Sequence, residues 1–232
     1  MTERSFLPSG LIDTSMRFFN TAGPVNCEKH YCLPPLSRFD LSEILNLITQ
    51  EKYFVLHAPR QSGKTSCLLA CADYLNKEGR YYALYTNVEA GQAAREDVSS
   101  AMRAILYGIL QRMDINLPNR ISSAELEQII RDNGPFGAMT IFFSRLSNRL
   151  DKPLILMMDE IDTLVGDTLI SVLRQIRSGY DTRPLHFPSS IILCGVRDVR
   201  DYRIHSERDK TIITGGSAFN IKAESLRLGN FT

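Results

Sequence analysis

Ala58-Pro59-Arg60-Gln61-Ser62-Gly63-Lys64-Thr65, preceded by the apolar run Tyr53-Phe54-Val55-Leu56, reads as a phosphate-binding loop that lacks only its first glycine. A strand feeds a tight loop, and the loop opens a helix. In such a loop successive backbone N–H groups point inward at phosphate oxygens, assisted by the positive end of the helix dipole. Lys64 is placed to reach the β- and γ-phosphates, and the Thr65 hydroxyl to ligate Mg²⁺. Ala58 stands where the pattern asks for Gly, which is tolerable if the position keeps φ below zero. The candidate nucleotide-holding set is Ala58, Pro59, Arg60, Gln61, Ser62, Gly63, Lys64, Thr65 and Ser66.

The 232 residues suffice for one large domain, and 44% hydrophobic with 23% charged residues is a globular composition. A net charge of +1 gives no global field toward nucleic acid or a membrane surface. No apolar run approaches the length of a membrane span, and no basic-then-apolar leader opens the chain. The odd set of five cysteines, with Cys67 and Cys71 in a helical stretch and Cys194 in an apolar one, reads as reduced thiols. Cys27 and Cys32 lack the second pair that a zinc site needs. The expected compartment is the cytoplasm.

Outward from the loop, strands and helices alternate. Asp40 and Glu43 signal a helix start, with Leu41, Ile44, Leu45 and Ile48 on its apolar face. A helix over 64–77 ends at Glu78-Gly79, and a strand begins at Tyr81. Val98, Met102, Ile105, Leu106, Ile109, Leu110 and Met113 repeat at helical spacing. Ser122 with Glu125 caps a second helix, and Ile141, Phe142, Leu146 and Leu150 stripe a third. Leu154-Ile155-Leu156-Met157-Met158 and Ile191-Ile192-Leu193-Cys194 are uninterrupted apolar runs, as strands buried on both faces require. A helix over 167–178 lies between them, and a last short strand is expected at Phe219-Asn220-Ile221. The pattern implies an α/β fold with a parallel sheet and right-handed crossovers. Residues 1–39 form an irregular lead-in, punctuated at Gly10, Gly23 and Pro24, that contributes to the nucleotide site. The core domain covers 40–232.

The second half of the site is Met158-Asp159-Glu160-Ile161-Asp162. A carboxylate at the C-terminal tip of a buried strand lies beside the neighbouring phosphate loop, where ligands bind in open α/β sheets. Asp159 is the candidate Mg²⁺ holder. Glu160, facing the other way along the strand, is the candidate for polarising an attacking water.

These segments, with Cys194-Gly195-Val196-Arg197-Asp198, resemble the bacterial AAA-like P-loop ATP-binding proteins of the ASCE division, related to AAA and STAND-type NTPases. Phe18-Phe19-Asn20-Thr21-Ala22-Gly23-Pro24 and His30-Tyr31 resemble the lead-in of that group. The resemblance implies a three-layer P-loop NTPase fold with about five parallel strands in the order 5-1-4-3-2. It implies ATP and Mg²⁺ as cofactors, with Lys64 and Glu160 catalytic and Thr65 and Asp159 on the metal. The fourth strand of such proteins ends in a polar sensor. Cys194 is a weak donor, so Arg197 is the candidate. The chain stops at Asn230-Phe231-Thr232, short of the lid or winged-helix region such proteins carry, so efficient turnover is in question.

Other residues carry weaker readings. His30 and Tyr31 are candidates for adenine contact and equally for loop packing. Arg174, Arg177 and Arg183 read as solvated helix-face residues rather than arginine fingers. Arg200, Arg203 and Arg208, mixed with Asp201, His205 and Glu207, read as a flexible polar loop. Tyr81, Tyr82 and Tyr85 read as sheet packing, Asp162 as a helix cap or supporting group, and Glu89 as a supporting acid. The leading expectation is an ATP-binding, Mg²⁺-dependent ATPase. The alternative is a nucleotide-gated interaction module with little or no turnover. A homo-oligomer or a separate protein partner is expected, with nucleic acid and membrane not indicated. The absence of an Asn-Lys-x-Asp motif tilts the base from guanine to adenine.

Overall fold

The computed structural model describes residues 17–229 other than 22, 118–120, 202, 207–210 and 215–218. Gly10, Ala22, Glu207, Arg208 and the Asn230-Phe231-Thr232 end therefore lie outside the described residues. The continuous apolar runs become strands of one parallel sheet: β1 (Tyr53–His57), β2 (Tyr82–Asn87), β3 (Leu154–Asp159), β4 (Ser190–Gly195) and β7 (Lys222–Arg227). Their order is β2-β3-β4-β1-β7, and every pairing is parallel. That is the expected order, read from the opposite edge with β7 as the fifth core strand.

Both faces of the sheet are covered, which explains why its strands are apolar without alternation. Phe54 and Leu56 join a core with Ile44 and Ile48 of α1 (Leu41–Thr49) and Leu68 and Leu75 of α2 (Lys64–Glu78). Tyr53 and Val55 point the other way. There they meet α3 (Val98–Asn116), α4 (Ser123–Asn133), α5 (Ala138–Ser147) and α6 (Gly166–Ser178). The predicted stripe of α3, from Val98 to Met113, is buried throughout. The caps also form: Asp40 accepts the Glu43 N–H, and Ser122 accepts the Glu125 N–H. Among the described residues, no helix is long and apolar enough to cross a membrane.

Three expectations need correction. The expected strand at 219–221 is a turn, and the strand starts at Lys222. Phe219 is buried and stacks on Tyr53 at a ring separation of 6.4 Å, because a buried anchor and a short strand present the same apolar signal. Within the stretch read as a flexible loop, Arg203–Ser206 forms β5, which pairs antiparallel with β6 (Thr211–Thr214) beyond it. Its partly buried Ile213 packs on the core. Cys27 and Cys32 are joined as a disulfide across a Cα separation of 5.1 Å, since the turn at 27–29 folds them together. Cys67, Cys71 and Cys194 are free and buried.

Candidate nucleotide site

The loop between β1 and α2 is built on two left-handed residues, Gln61 at φ 59° and Gly63 at φ 84°. Gly63 adopts that conformation without strain, whereas Gln61 does so at some cost. Ala58 is not in the left-handed region, is buried, and donates its N–H to the Gly195 carbonyl at 3.2 Å. The missing first glycine thus has no conformational consequence. Lys64 is only 5% exposed, and its Nζ donates to the Ala58 and Pro59 carbonyls at 3.0 and 2.9 Å. It has no ion-pair partner among the described residues. Burying an ammonium on two neutral carbonyls is unfavourable unless an anion joins it.

The lead-in fastens this loop from outside. Val25 donates its N–H to Ser66 Oγ at 3.1 Å, in the first turn of α2. Arg38 donates to the Ser62 carbonyl at 3.1 Å and to the Gly229 carbonyl at 2.6 Å, tying the loop to the chain just past β7. Ser62 Oγ closes on the Pro59 carbonyl at 2.7 Å. Arg60 is exposed at the loop's tip. Around the lead-in, Phe18 meets His30 edge-on at 4.7 Å, and Phe19 meets Tyr31 at 4.8 Å. Tyr31 is 56% exposed, so an aromatic surface stands beside the loop that Ser66 anchors.

Across the sheet, β3 delivers Asp159, which is fully buried. Its Oδ2 accepts from Thr65 Oγ1 at 2.6 Å and from the Tyr85 hydroxyl at 3.1 Å, and its Oδ1 accepts from the Glu160 N–H at 3.0 Å. The buried Cys194 thiol lies near this carboxylate; burial, then Asp159 itself, pushes that thiol well above its usual range. The two motifs named in the sequence therefore meet directly. Tyr85, whose spacing suggests sheet packing, is a direct partner of the candidate metal holder. The signal lay in the pairing: β2 lies against β3 with Tyr85 opposite Met157, so Tyr85 and Asp159 share a sheet face. Burial first, then Asp159, raises the Tyr85 hydroxyl above its ordinary value, so it remains a donor.

Glu160 sits in the left-handed region at φ 59°, ψ 36°, just past the end of β3. Burial, then Asp159 and Asp162, raises its carboxyl above the usual range, while Lys64 pulls the other way. Glu89, exposed just past β2, adds a further upward push. Asp162 accepts the Val196 N–H at 3.3 Å, joining the turn after β3 to the end of β4. It supports the site rather than capping α6. Arg197 is exposed past β4 and makes no hydrogen bond or ion pair among the described residues.

The remaining candidates lie elsewhere. Arg183 stacks on Tyr180 at 3.3 Å and donates to the Glu51 carbonyl, at the opposite end of β1 from the loop. Arg174 and Arg177 are exposed on α6. The Tyr82 hydroxyl bonds Asp151 at 3.0 Å, also away from the site.

The sequence matches the family described as "Nephrocystin 3, N-terminal" over residues 38–188, well over half of the chain. No curated protein matches it. Among solved structures, a chain of Drosophila ORC bound to GC-rich DNA and Cdc6 is similar with a TM-score of 0.51 and 9% identity, over 82% of this chain and 28% of that one. Cdc6p from Pyrobaculum aerophilum gives a TM-score of 0.47 and 18% identity, over 82% of this chain and 43% of that one. This chain therefore spans less than half the length of either protein. At such identities the likeness concerns the fold alone, the α/β P-loop NTPase fold with its parallel sheet. With its loop on β1, its acidic strand end on β3 and the family match spanning both, the chain belongs to the nephrocystin 3 N-terminal family.

Proposed function

We propose that this chain binds ATP with Mg²⁺ and hydrolyses it. The observation that carries the reading is the buried Lys64 ammonium, which has no ion-pair partner among the described residues, together with a buried Asp159 already bonded to Thr65. A phosphate chain supplies the missing anion, and the loop amides from Gln61 to Thr65 add donors. The donor set fits a hard cation, a hydroxyl and a carboxylate being oxygen ligands. Thr65 and Asp159 would hold Mg²⁺, which neutralises charge on the phosphate oxygens when bound. Glu160, with its carboxyl raised, is better matched to taking a proton from water than an ordinary glutamate is. Residues 40–232 form the working core, with the lead-in before them as an accessory wall for the base through Tyr31 and His30.

A switch with little turnover is the second reading. It is favoured by Arg197, which stands exposed past β4 with no hydrogen bond or ion pair among the described residues. The +1 net charge carries no exclusion of nucleic acid, because a sum over the whole surface hides local patches. The decisive experiment is phosphate release with Mg²⁺-ATP, run beside nucleotide titrations of the parent, Glu160→Gln and Lys64→Ala. Hydrolysis predicts a turning-over parent, a Glu160→Gln protein that binds without turnover, and a Lys64→Ala protein that does not bind. Tight binding without phosphate release would establish the switch instead. A parent that binds no nucleotide would sink both.

A further inference from the structure

We infer that Tyr85 is a positioning residue, which holds the Asp159 carboxylate in the orientation that receives the metal. The inference rests on the reading of this site as one for Mg²⁺-nucleotide. Asp159 is surrounded from three sides. Thr65 approaches from α2, Cys194 from β4, and Tyr85 from the edge strand β2. The Thr65 and Tyr85 hydroxyls share Oδ2, while the backbone of Glu160 occupies Oδ1. Thr65 is itself a candidate metal ligand, and the thiol is a weak donor. Tyr85 is therefore the strong side-chain donor to Asp159 that is not itself a candidate metal ligand.

The phenol is held in its own right. Tyr85 is 6% exposed, packs with Met157 and Leu68 in the same core, and carries the Arg112 guanidinium over its ring at 5.5 Å. A fixed ring fixes its hydroxyl, and a fixed hydroxyl restricts the carboxylate torsion. Partners of this kind behind a metal ligand typically alter metal affinity by roughly 10- to 100-fold when removed.

The test separates metal binding from nucleotide binding. Fluorescent ATP-analogue binding is titrated with Mg²⁺, and Mn²⁺ binding in the presence of ATP is followed by electron paramagnetic resonance. Tyr85→Phe, which keeps the ring and removes only the hydroxyl, should need about 10-fold more metal for half-saturation. Its metal-free nucleotide affinity and melting temperature should stay near those of the parent. Tyr85→Met should show the same metal shift, because both variants lack the hydroxyl. Tyr82→Phe, on the same strand but bonded to Asp151, should match the parent. Equal metal dependence in the parent and both Tyr85 variants would overturn the inference and leave the nucleotide site intact. A parent with no metal-dependent binding would remove the reading on which the inference stands.

Discussion

Replacing Asn76 by alanine should cost far more than the position of this residue on a surface helix implies. β2 is the edge of the sheet, so half of its backbone groups have no neighbouring strand. At Ala83, which is fully buried, α2 supplies the missing rung through a side chain. Asn76 Nδ2 donates to the Ala83 carbonyl, and Asn76 Oδ1 accepts the Ala83 N–H, both at 2.9 Å. Truncation strands one donor and one acceptor together. Each is worth about 1–3 kcal/mol when left unpaired and buried. The better helix propensity of alanine returns about half a kcal/mol. Some water reaches this half-buried site, which places the net loss near 2 kcal/mol on the same scale. For a chain of this size that lowers the melting temperature by about 4–8 °C. The comparison is Lys77→Ala, one residue along, which breaks an exposed ion pair with Asp73. That change should move melting by less than about 2 °C. Thermal unfolding followed by circular dichroism decides it. If the two variants melt together, the pairing of Asn76 with the sheet edge is not what stabilises β2.

Two further outcomes follow from the same geometry. The Glu160 carboxyl is raised above its ordinary 4.5 by burial, Asp159 and Asp162, so its ionisation opposes folding. Below that value both folded and unfolded chains carry the proton and nothing is lost. As pH rises the unfolded chain ionises first, and stability falls until the folded carboxyl also ionises. Glu160→Gln should therefore melt above the parent at neutral pH, with the gap closing on acidification toward 4.5; a gap that widens on acidification contradicts this. Gly179→Ala tests packing, because Gly179 has φ −93° and accepts a side chain, yet its Cβ would lie 2.3 Å from the buried ring of Phe187. The overpacking should cost about 1–3 kcal/mol in denaturant titration, and a neutral result would mean that Phe187 has room to move.

What could be read from the chain alone was whatever a short window contains. The phosphate loop, the apolar strand ending in Asp159 and the caps at Asp40 and Ser122 are each specified within a few residues, and each stands where expected. The strand order followed from the resemblance, not from any window. The errors share one cause. Phe219 supplies an apolar anchor under Tyr53, and a window cannot distinguish an anchor from a strand. The hairpin of β5 and β6 exists through pairing between residues such as Ile204 and Ile213, which a reading of charge along the chain does not register. Glu160 follows β3 through a left-handed turn that no residue in Asp-Glu-Ile-Asp announces.

Tyr85 and Asn76 mark the boundary most sharply, because both serve β2 across the fold. Tyr85 lies 74 positions from the carboxylate it bonds, and Asn76 completes a sheet edge that the topology leaves open. Given the strand order, however, both roles become deducible. If β2 is the edge and β3 its neighbour, a polar residue on β2 sharing a face with Asp159 must find its partner there, and an amide on the helix just before β2 faces unpaired backbone. The sequence names the charged groups of the site. The topology then decides which uncharged donors hold them, and in this chain it assigns to β2 a share of the proposed nucleotide site that its own residues do not advertise.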